Sequence, residues 1–327
     1  MSNVLKTFSN KCLSLSYMGE NWNNDLMQSI VEAGRTISYV ETLNPSKADK
    51  FHLSIKGSDK GLFMKEFEKV VRFAVAKLGL KKVKIAFDIT EDLTWGRSRF
   101  NLRPSVHEHC LMSWQYLSVS VVEPYFFPLM SVPYKQTSSV DNLVIDLIKY
   151  IKTLPITVET ALFDRGFYHA HLIDFMNSIN FPFLILVPKT HSIKNYCEQT
   201  ASVKFFSHKM VYTKDHSKWQ TSVTIIIKRI DDKTCWCYAT NQKPSLWSTL
   251  EYKKRWNIET GFRIHDETRI KSKSNNSLIR FYYHLLGMLL IVLWRLQNSV
   301  RYFVFKRFLK IVELSYTKII EPDPPPL

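Results

Sequence analysis

The sequence predicts a mixed α/β fold: a sheet of antiparallel and parallel strands flanked by helices, with a β-rich insertion before a late helix. Three observations carry this. Two apolar, β-branched runs, Val83–Thr90 and Ile156–Phe163, read as buried strands. Between Val83 and Val187 the periods run strand, strand, strand, helix, strand, helix, strand. From Val203 to Thr240 the pattern changes to alternation broken by polar turns.

Residues 1–60 read as short helices and loops with a lysine-bearing surface. Leu62–Leu78 carries a helical stripe through Leu62, Phe63, Phe67, Val70, Val71, Phe73, Ala74 and Leu78. After the Val83–Thr90 strand come Cys110–Val122 and Tyr125–Val132, with Pro124 marking the turn between them. Asn142–Leu154 is an amphipathic helix stopped by Pro155. Ile156–Phe163 is a strand, His169–Ser178 a helix and Phe183–Val187 a strand before Pro188. Short connections make the first three strands antiparallel, and helical crossovers make the last two parallel. Val203–Tyr212, Ser222–Ile230 and Thr234–Tyr238 form the insertion. Leu250 to about Ile270 reads as one helix. Leu278–Leu309 reads as one or two apolar helices packing on the sheet, and the proline-rich end Glu321–Leu327 as an extended tail.

The composition is that of a folded globular protein, 45% hydrophobic and 23% charged over 327 residues. Lys+Arg 45 against Asp+Glu 29 leaves +16, which favours a polyanionic partner over a neutral one. Cys12, Cys110, Cys197, Cys235 and Cys237 are odd in number and scattered. With no basic region followed by an apolar run at the N-terminus, free thiols in a reducing, cytoplasmic setting are expected. The uninterrupted run Leu285–Trp294 lies between His284 and Arg295 and falls short of the roughly 20 residues a bilayer needs. A buried helix is the expectation there, and no membrane partner.

Three acidic residues stand out. Asp88 and Asp164 each end an apolar strand run, and Glu259 follows in Tyr252-x2-Arg255-x3-Glu259. The spacing i, i+3, i+7 puts Tyr252, Arg255 and Glu259 on one helical face. A phenol, a guanidinium and a carboxylate there suit a site holding a metal ion and a phosphate together. With two strand-end carboxylates, the set reads as a candidate two-metal site. The plainer alternative makes the aspartates solvent-facing strand ends and Arg255–Glu259 a helix ion pair. His107-Glu-His109-Cys110 lacks a second ligand cluster at a familiar spacing, so no zinc site is expected there. The thiols of Cys235-x-Cys237 face one side of a strand, and packed small residues are favoured over metal ligands.

These motifs together resemble the DDE transposases of the insertion-sequence type, with a ribonuclease-H-like core and a β-insertion before the last acid. Ile85-Ala-Phe-Asp88-Ile-Thr90 with Trp95-Gly96 resembles the first-aspartate strand, Phe163-Asp164-Arg165-Gly166-Phe167 the segment at the second aspartate, and Tyr252-x2-Arg255-x3-Glu259 the tyrosine-arginine-glutamate-lysine signature. The resemblance runs from about Val83 to about Leu296. It implies residues 1–80 as an N-terminal helical region with contacts to DNA ends, 81–310 as the catalytic domain with its insertion at about 200–245, and 311–327 as a tail. It implies two Mg²⁺ ions, replaceable by Mn²⁺, held by Asp88, Asp164 and Glu259. Tyr252, Arg255 and Arg165 would contact DNA phosphate. The implied partners are double-stranded DNA with inverted terminal repeats, target DNA and a second copy of the chain. In the signature a lysine follows the glutamate by seven residues; here that place holds Asp266, with Lys271 and Lys273 as nearby substitutes. A descendant that binds DNA without cutting it is the alternative reading. Trp219, Trp236 and Trp247, in or beside the insertion, are candidates for stacking on an unpaired base.

Overall fold

The computed structural model describes residues 2–13, 47–94, 101–106, 110–214, 217–231, 234–268, 270, 272–300 and 304–317. Trp95, Gly96, His107–His109, Lys271 and residues 318–327 lie outside the described residues, and residues 311–317 of the expected 311–327 tail are helical. The chain divides into two compact units, residues 80–261 and residues 1–79 with 262–327. The sequence reading instead ran one domain from 81 to 310.

The 80–261 unit holds every described strand. These are β1 (Lys82–Thr94), β2 (Arg103–Pro104), β3 (Met112–Glu123), β4 (Phe127–Tyr134), β5 (Thr157–Phe163), β6 (Phe183–Leu186), β7 (Val203–Lys214), β8 (Ser217–Arg229) and β9 (Cys235–Thr240). They form a single sheet in the order β2-β3-β1-β5-β6-β9-β8-β7, with β4 pairing β3. As the connection lengths predict, β1, β3 and β4 pair antiparallel, while β5 joins β1, and β6 joins β5, in parallel. The insertion continues this sheet, since β9 pairs β6 antiparallel and carries β8 and β7 outward. The core strand β3 is buried on both faces from Ser113 to Val122, so it reads as a continuous apolar and small-residue run rather than an alternation.

Helices α4 (Val140–Ile151), α5 (Ala170–Ser178) and α6 (His191–Glu198) lie along this unit. Ser139 starts α4 as N-cap, accepting from the Asn142 amide. The helix buries Val144, Ile145, Leu147, Ile148 and Ile151 and packs on β4 and β3. The sequence reading missed α6. Its eight residues are mostly polar, and among those whose burial is described Ile193 and Cys197 are the buried ones.

One expected helix is two. The chain is helical over α7 (Ser248–Lys253), turns at Lys254–Arg255, and is helical again over α8 (Trp256–Asp266). At the break the backbone makes i→i+3 bonds, Arg255 N–H to Tyr252 C=O at 2.9 Å and Ile258 N–H to Arg255 C=O at 2.9 Å. That tightening is the 3₁₀ geometry common at helix ends.

The second unit is helical: α1 (Ser2–Cys12), α2 (Lys47–Lys56), α3 (Lys60–Lys77), α9 (Ser277–Asn298) and α10 (Phe305–Thr317). Asp59 caps α3 and Asn276 caps α9 through side-chain acceptors. Tyr282 of α9 is fully buried among Phe8, Phe51 and Phe63, and its hydroxyl meets Ser9 Oγ at 3.1 Å. The sequence reading packed α9 on the sheet; within this unit its partners are α3 and α2. At 22 residues α9 is long and apolar enough to cross a membrane, but 89% of its most apolar window is buried in the fold, the condition of a core helix.

Candidate active site

The parallel pairing of β1 with β5 sets the site. Phe87 pairs with Phe163, the last pair of that ladder. The next residues are Asp88 and Asp164, which therefore stand side by side where the strands part. In a parallel pair, neighbours in register point to the same face. Below them the Phe87 and Phe163 rings stack at 4.6 Å and 9°. Both phenylalanines are fully buried, and each burial contributes about 1.5–3 kcal/mol. Asp88 is not at a strand end as the sequence suggested. It sits mid-way along a 13-residue strand, with Ser118 opposite it on β3. Asp164 leads into a 3₁₀ turn, Arg165–Phe167. Gly166 in that turn has no left-handed φ, and a Cβ there would meet nothing within 4 Å, so the turn does not require glycine for its backbone.

The helix break aims the other groups. Arg255 is buried, at 9% side-chain exposure, and its guanidinium lies between two carboxylates. Nη1 donates to Asp88 Oδ2 at 3.0 Å and Nη2 to Glu259 Oε1 at 2.6 Å. Tyr252 donates its hydroxyl to Asp164 Oδ1 at 3.4 Å. The structure thus brings together Asp88, Asp164, Tyr252, Arg255 and Glu259. Arg165 is exposed, and it lines a cavity of about 300 Å³ with Lys189, Trp236 and residues of β9. Lys273 is exposed in the helical unit. Asp266 is the last residue of α8.

Burial raises the Asp88 carboxyl to about 6, and the Asp164 and Glu259 charges push the same way, against Arg255 and the Ile89 amide. Burial likewise drives the Tyr252 phenol well above its ordinary value. A half-buried carboxylate crowded by two others is a group short of positive charge. Oxygen donors of this kind suit hard divalent ions. Among the described residues the three carboxylates do not converge within 4.8 Å of one another. Asp88 and Glu259 meet through the Arg255 guanidinium that stands between them.

Sequence reasoning missed how the helix pair is seated. Lys84 on β1 bonds Glu251 on α7 and lies 3.0 Å from Glu123 at the end of β3. Lys254 reaches Glu123 at 2.6 Å, and Asn257 donates to the Val122 carbonyl at 3.0 Å. Gly261 on α8 faces Phe126, whose ring would stand 2.1 Å from an added Cβ. These contacts fix where Arg255 and Glu259 point. The only sequence signal was the charge of Lys84 inside an apolar strand run.

No protein-family model matches the sequence, and no curated protein matches it either. Among solved structures, the chain is similar to a piggyBac transposase determined by cryo-EM as a synaptic complex with hairpin DNA. The TM-score is 0.62 at 11% identity, over 98% of this chain and 78% of that one. At that identity the likeness is one of fold: a large mixed sheet flanked by helices, similar to a transposase catalytic core.

Proposed function

We propose that the protein is a DNA transposase of the DDE kind, related to the insertion-sequence enzymes, that cuts the ends of its element and joins them to target DNA. The observation that supports this most is the register of β1 and β5, which sets Asp88 beside Asp164 with Glu259 clipped to Asp88 through Arg255. The fold likeness to piggyBac transposase and the +16 charge point the same way.

On this reading Asp88, Asp164 and Glu259 hold two Mg²⁺ ions, which when bound supply activation of the attacking oxygen and stabilisation of the leaving one. Tyr252 orients Asp164 through its hydroxyl. Arg255 links Asp88 to Glu259 and keeps their charge compensated, its fork taken up by the two carboxylates in place of the phosphate the sequence suggested. Arg165, next to Asp164, and Lys273, with Lys271, contact the DNA backbone. Exposed Trp219, Trp247 and Trp256, at 51%, 66% and 50%, offer faces for unpaired bases. The partners are double-stranded DNA with inverted terminal repeats and a second copy of the chain, because two ends must be brought together.

The alternative, a DNA-binding descendant that no longer cuts, is favoured by Asp266, an acid where the resembling enzymes carry a lysine. One experiment separates the two. The purified chain is incubated with DNA carrying the inverted repeats that flank its own reading frame, with Mg²⁺ or a chelator. Mg²⁺-dependent 3′-end cleavage supports the transposase; tight, specific binding without cleavage supports the descendant.

A further inference from the structure

The chain has five cysteines, all buried and free. Three of them meet. Cys197, near the C-terminus of α6, and Cys235 and Cys237, on β9, bring their sulfurs within 4.8 Å of one another. Cys197 Sγ and Cys237 Sγ are 3.3 Å apart. The other two stand apart: Cys110 donates to the Thr94 and Met112 carbonyls, and Cys12 belongs to the helical unit. Sequence spacing favoured packed small residues for Cys235 and Cys237, because the third thiol comes from a helix that the sequence did not reveal.

We propose that Cys197, Cys235 and Cys237 form a binding site for one thiophilic d¹⁰ ion of the zinc class, separate from the carboxylate centre. Thiolate–zinc bonds of about 2.3 Å require sulfurs about 3.8 Å apart in a tetrahedron and about 4.0 Å in a trigonal plane. The observed triangle is already near that size. Its backbone is also fixed in advance. Arg229, which pairs with Cys235 across β8 and β9, donates to the Cys197 carbonyl at 2.5 Å and the Thr200 carbonyl at 2.7 Å. The Cys237 carbonyl accepts from the Val187 amide at 2.9 Å.

The electrostatics agree. The last turn of a helix favours a cation, and Cys197 lies in the last turn of α6. A divalent ion with three thiolates carries one net negative charge. Lys189 and Arg165 line the adjoining cavity with Cys235 and Cys237 and can balance it. Among the described residues no fourth His, Cys, Asp or Glu joins the cluster. The fourth position of a tetrahedral ion would then fall to a water or another small ligand. As each sulfur–metal bond forms, the thiol releases its proton to solvent. No electron is transferred.

The test uses the full chain under reducing conditions. Zn²⁺ is titrated against a chromophoric chelator, and Co²⁺ is used as a spectroscopic probe. The expected result is one Zn²⁺ per chain retained in Asp88→Asn, and a sulfur-to-cobalt charge-transfer band of three-thiolate strength. Cys197→Ser and Cys237→Ser should each weaken Zn²⁺ beyond the roughly 10–100-fold that outer-shell changes bring, while Cys110→Ser leaves it unchanged. The cobalt band is read on the wild type and stands even if a serine variant misfolds. Absence of that band, or Zn²⁺ binding that disappears with Asp88→Asn and persists without the cysteines, overturns the proposal. So does a Cys197–Cys237 disulfide that forms with Zn²⁺ in excess. Failure of DNA cleavage leaves each of these readouts intact.

Discussion

Arg255, at the turn between the two helices, donates from Nη1 to Asp88 Oδ2 on β1 at 3.0 Å. The two residues attract, and burial and the Arg255 charge act on the Asp88 carboxyl in opposite senses. Burial raises the Asp88 carboxyl to about 6, and Arg255 holds it back. Divalent-ion binding and cleavage should therefore fall as pH drops through about 6, because a protonated carboxyl is a poor ligand. In Arg255→Ala the midpoint should move up. The stability effect has the opposite sense from a salt-bridged acid. The folded value lies above the ordinary 3.8, so the native state binds the extra proton and this group's contribution weakens as pH rises from 3.8 to about 6. Melting curves in chelator should show a flatter dependence across that window for Asp88→Asn. An Arg255→Ala midpoint equal to wild type would remove Arg255 from this role.

Asp88→Asn, Asp164→Asn and Glu259→Gln should each reduce end cleavage by orders of magnitude while leaving DNA affinity within a few-fold. Gel-shift and cleavage assays on one protein preparation give both numbers. Near-normal cleavage by any one of these variants takes that residue out of the metal site.

Gly261 and Gly166 should behave oppositely. A methyl at Gly261 would enter the buried Phe126 ring, and overpacking of that kind costs about 1–3 kcal/mol. Gly261→Ala should lower the melting temperature and weaken cleavage together, because α8 carries Glu259. A methyl at Gly166 meets nothing, so Gly166→Ala should leave stability within about 0.5 kcal/mol. Should its cleavage drop nevertheless, the bare backbone beside Asp164 serves close approach of the substrate.

DNA binding should weaken steeply with salt, since a +16 chain releases many counterions on docking to phosphate. A log–log slope near zero between low and moderate salt would mean that the charge serves another purpose.

Asp266 lies seven residues beyond Glu259, two turns on along α8. If it takes the place of a phosphate-gripping lysine, Asp266→Lys removes a repulsion that solvent and salt reduce to about 1 kcal/mol. Cleavage or end binding should then improve by roughly tenfold. An unchanged rate, with weaker binding in Lys271→Ala or Lys273→Ala, assigns the grip to those lysines instead.

The succession of strands and helices and the parallel course of the Ile156–Phe163 and Phe183–Val187 strands were legible in the sequence because each rests on local periodicity and connection length. Three features were not. Asp88 looked like a strand end because Glu91 and Asp92 break the apolar run, yet β1 continues to Thr94 on pairing with β3. The helix break at Lys254–Arg255 carries no proline or glycine; it follows from the tethers of Lys84, Glu123 and Asn257. The thiol triangle depends on α6, whose polar composition hides it. In each case the deciding contact is far away in the chain.

The sheet order also bears on how the chain folds. The first aspartate strand waits for β5, which arrives only after β3, β4 and α4 have formed, and Glu259 follows the whole β7–β8–β9 meander. Contacts so distant in sequence close slowly, because loop entropy is lost before the pairing rewards it. A nascent or partly folded chain can therefore form the β1–β3–β4 hairpins without assembling the acids. Asp88, Asp164 and Glu259 therefore come together only once the sheet is finished.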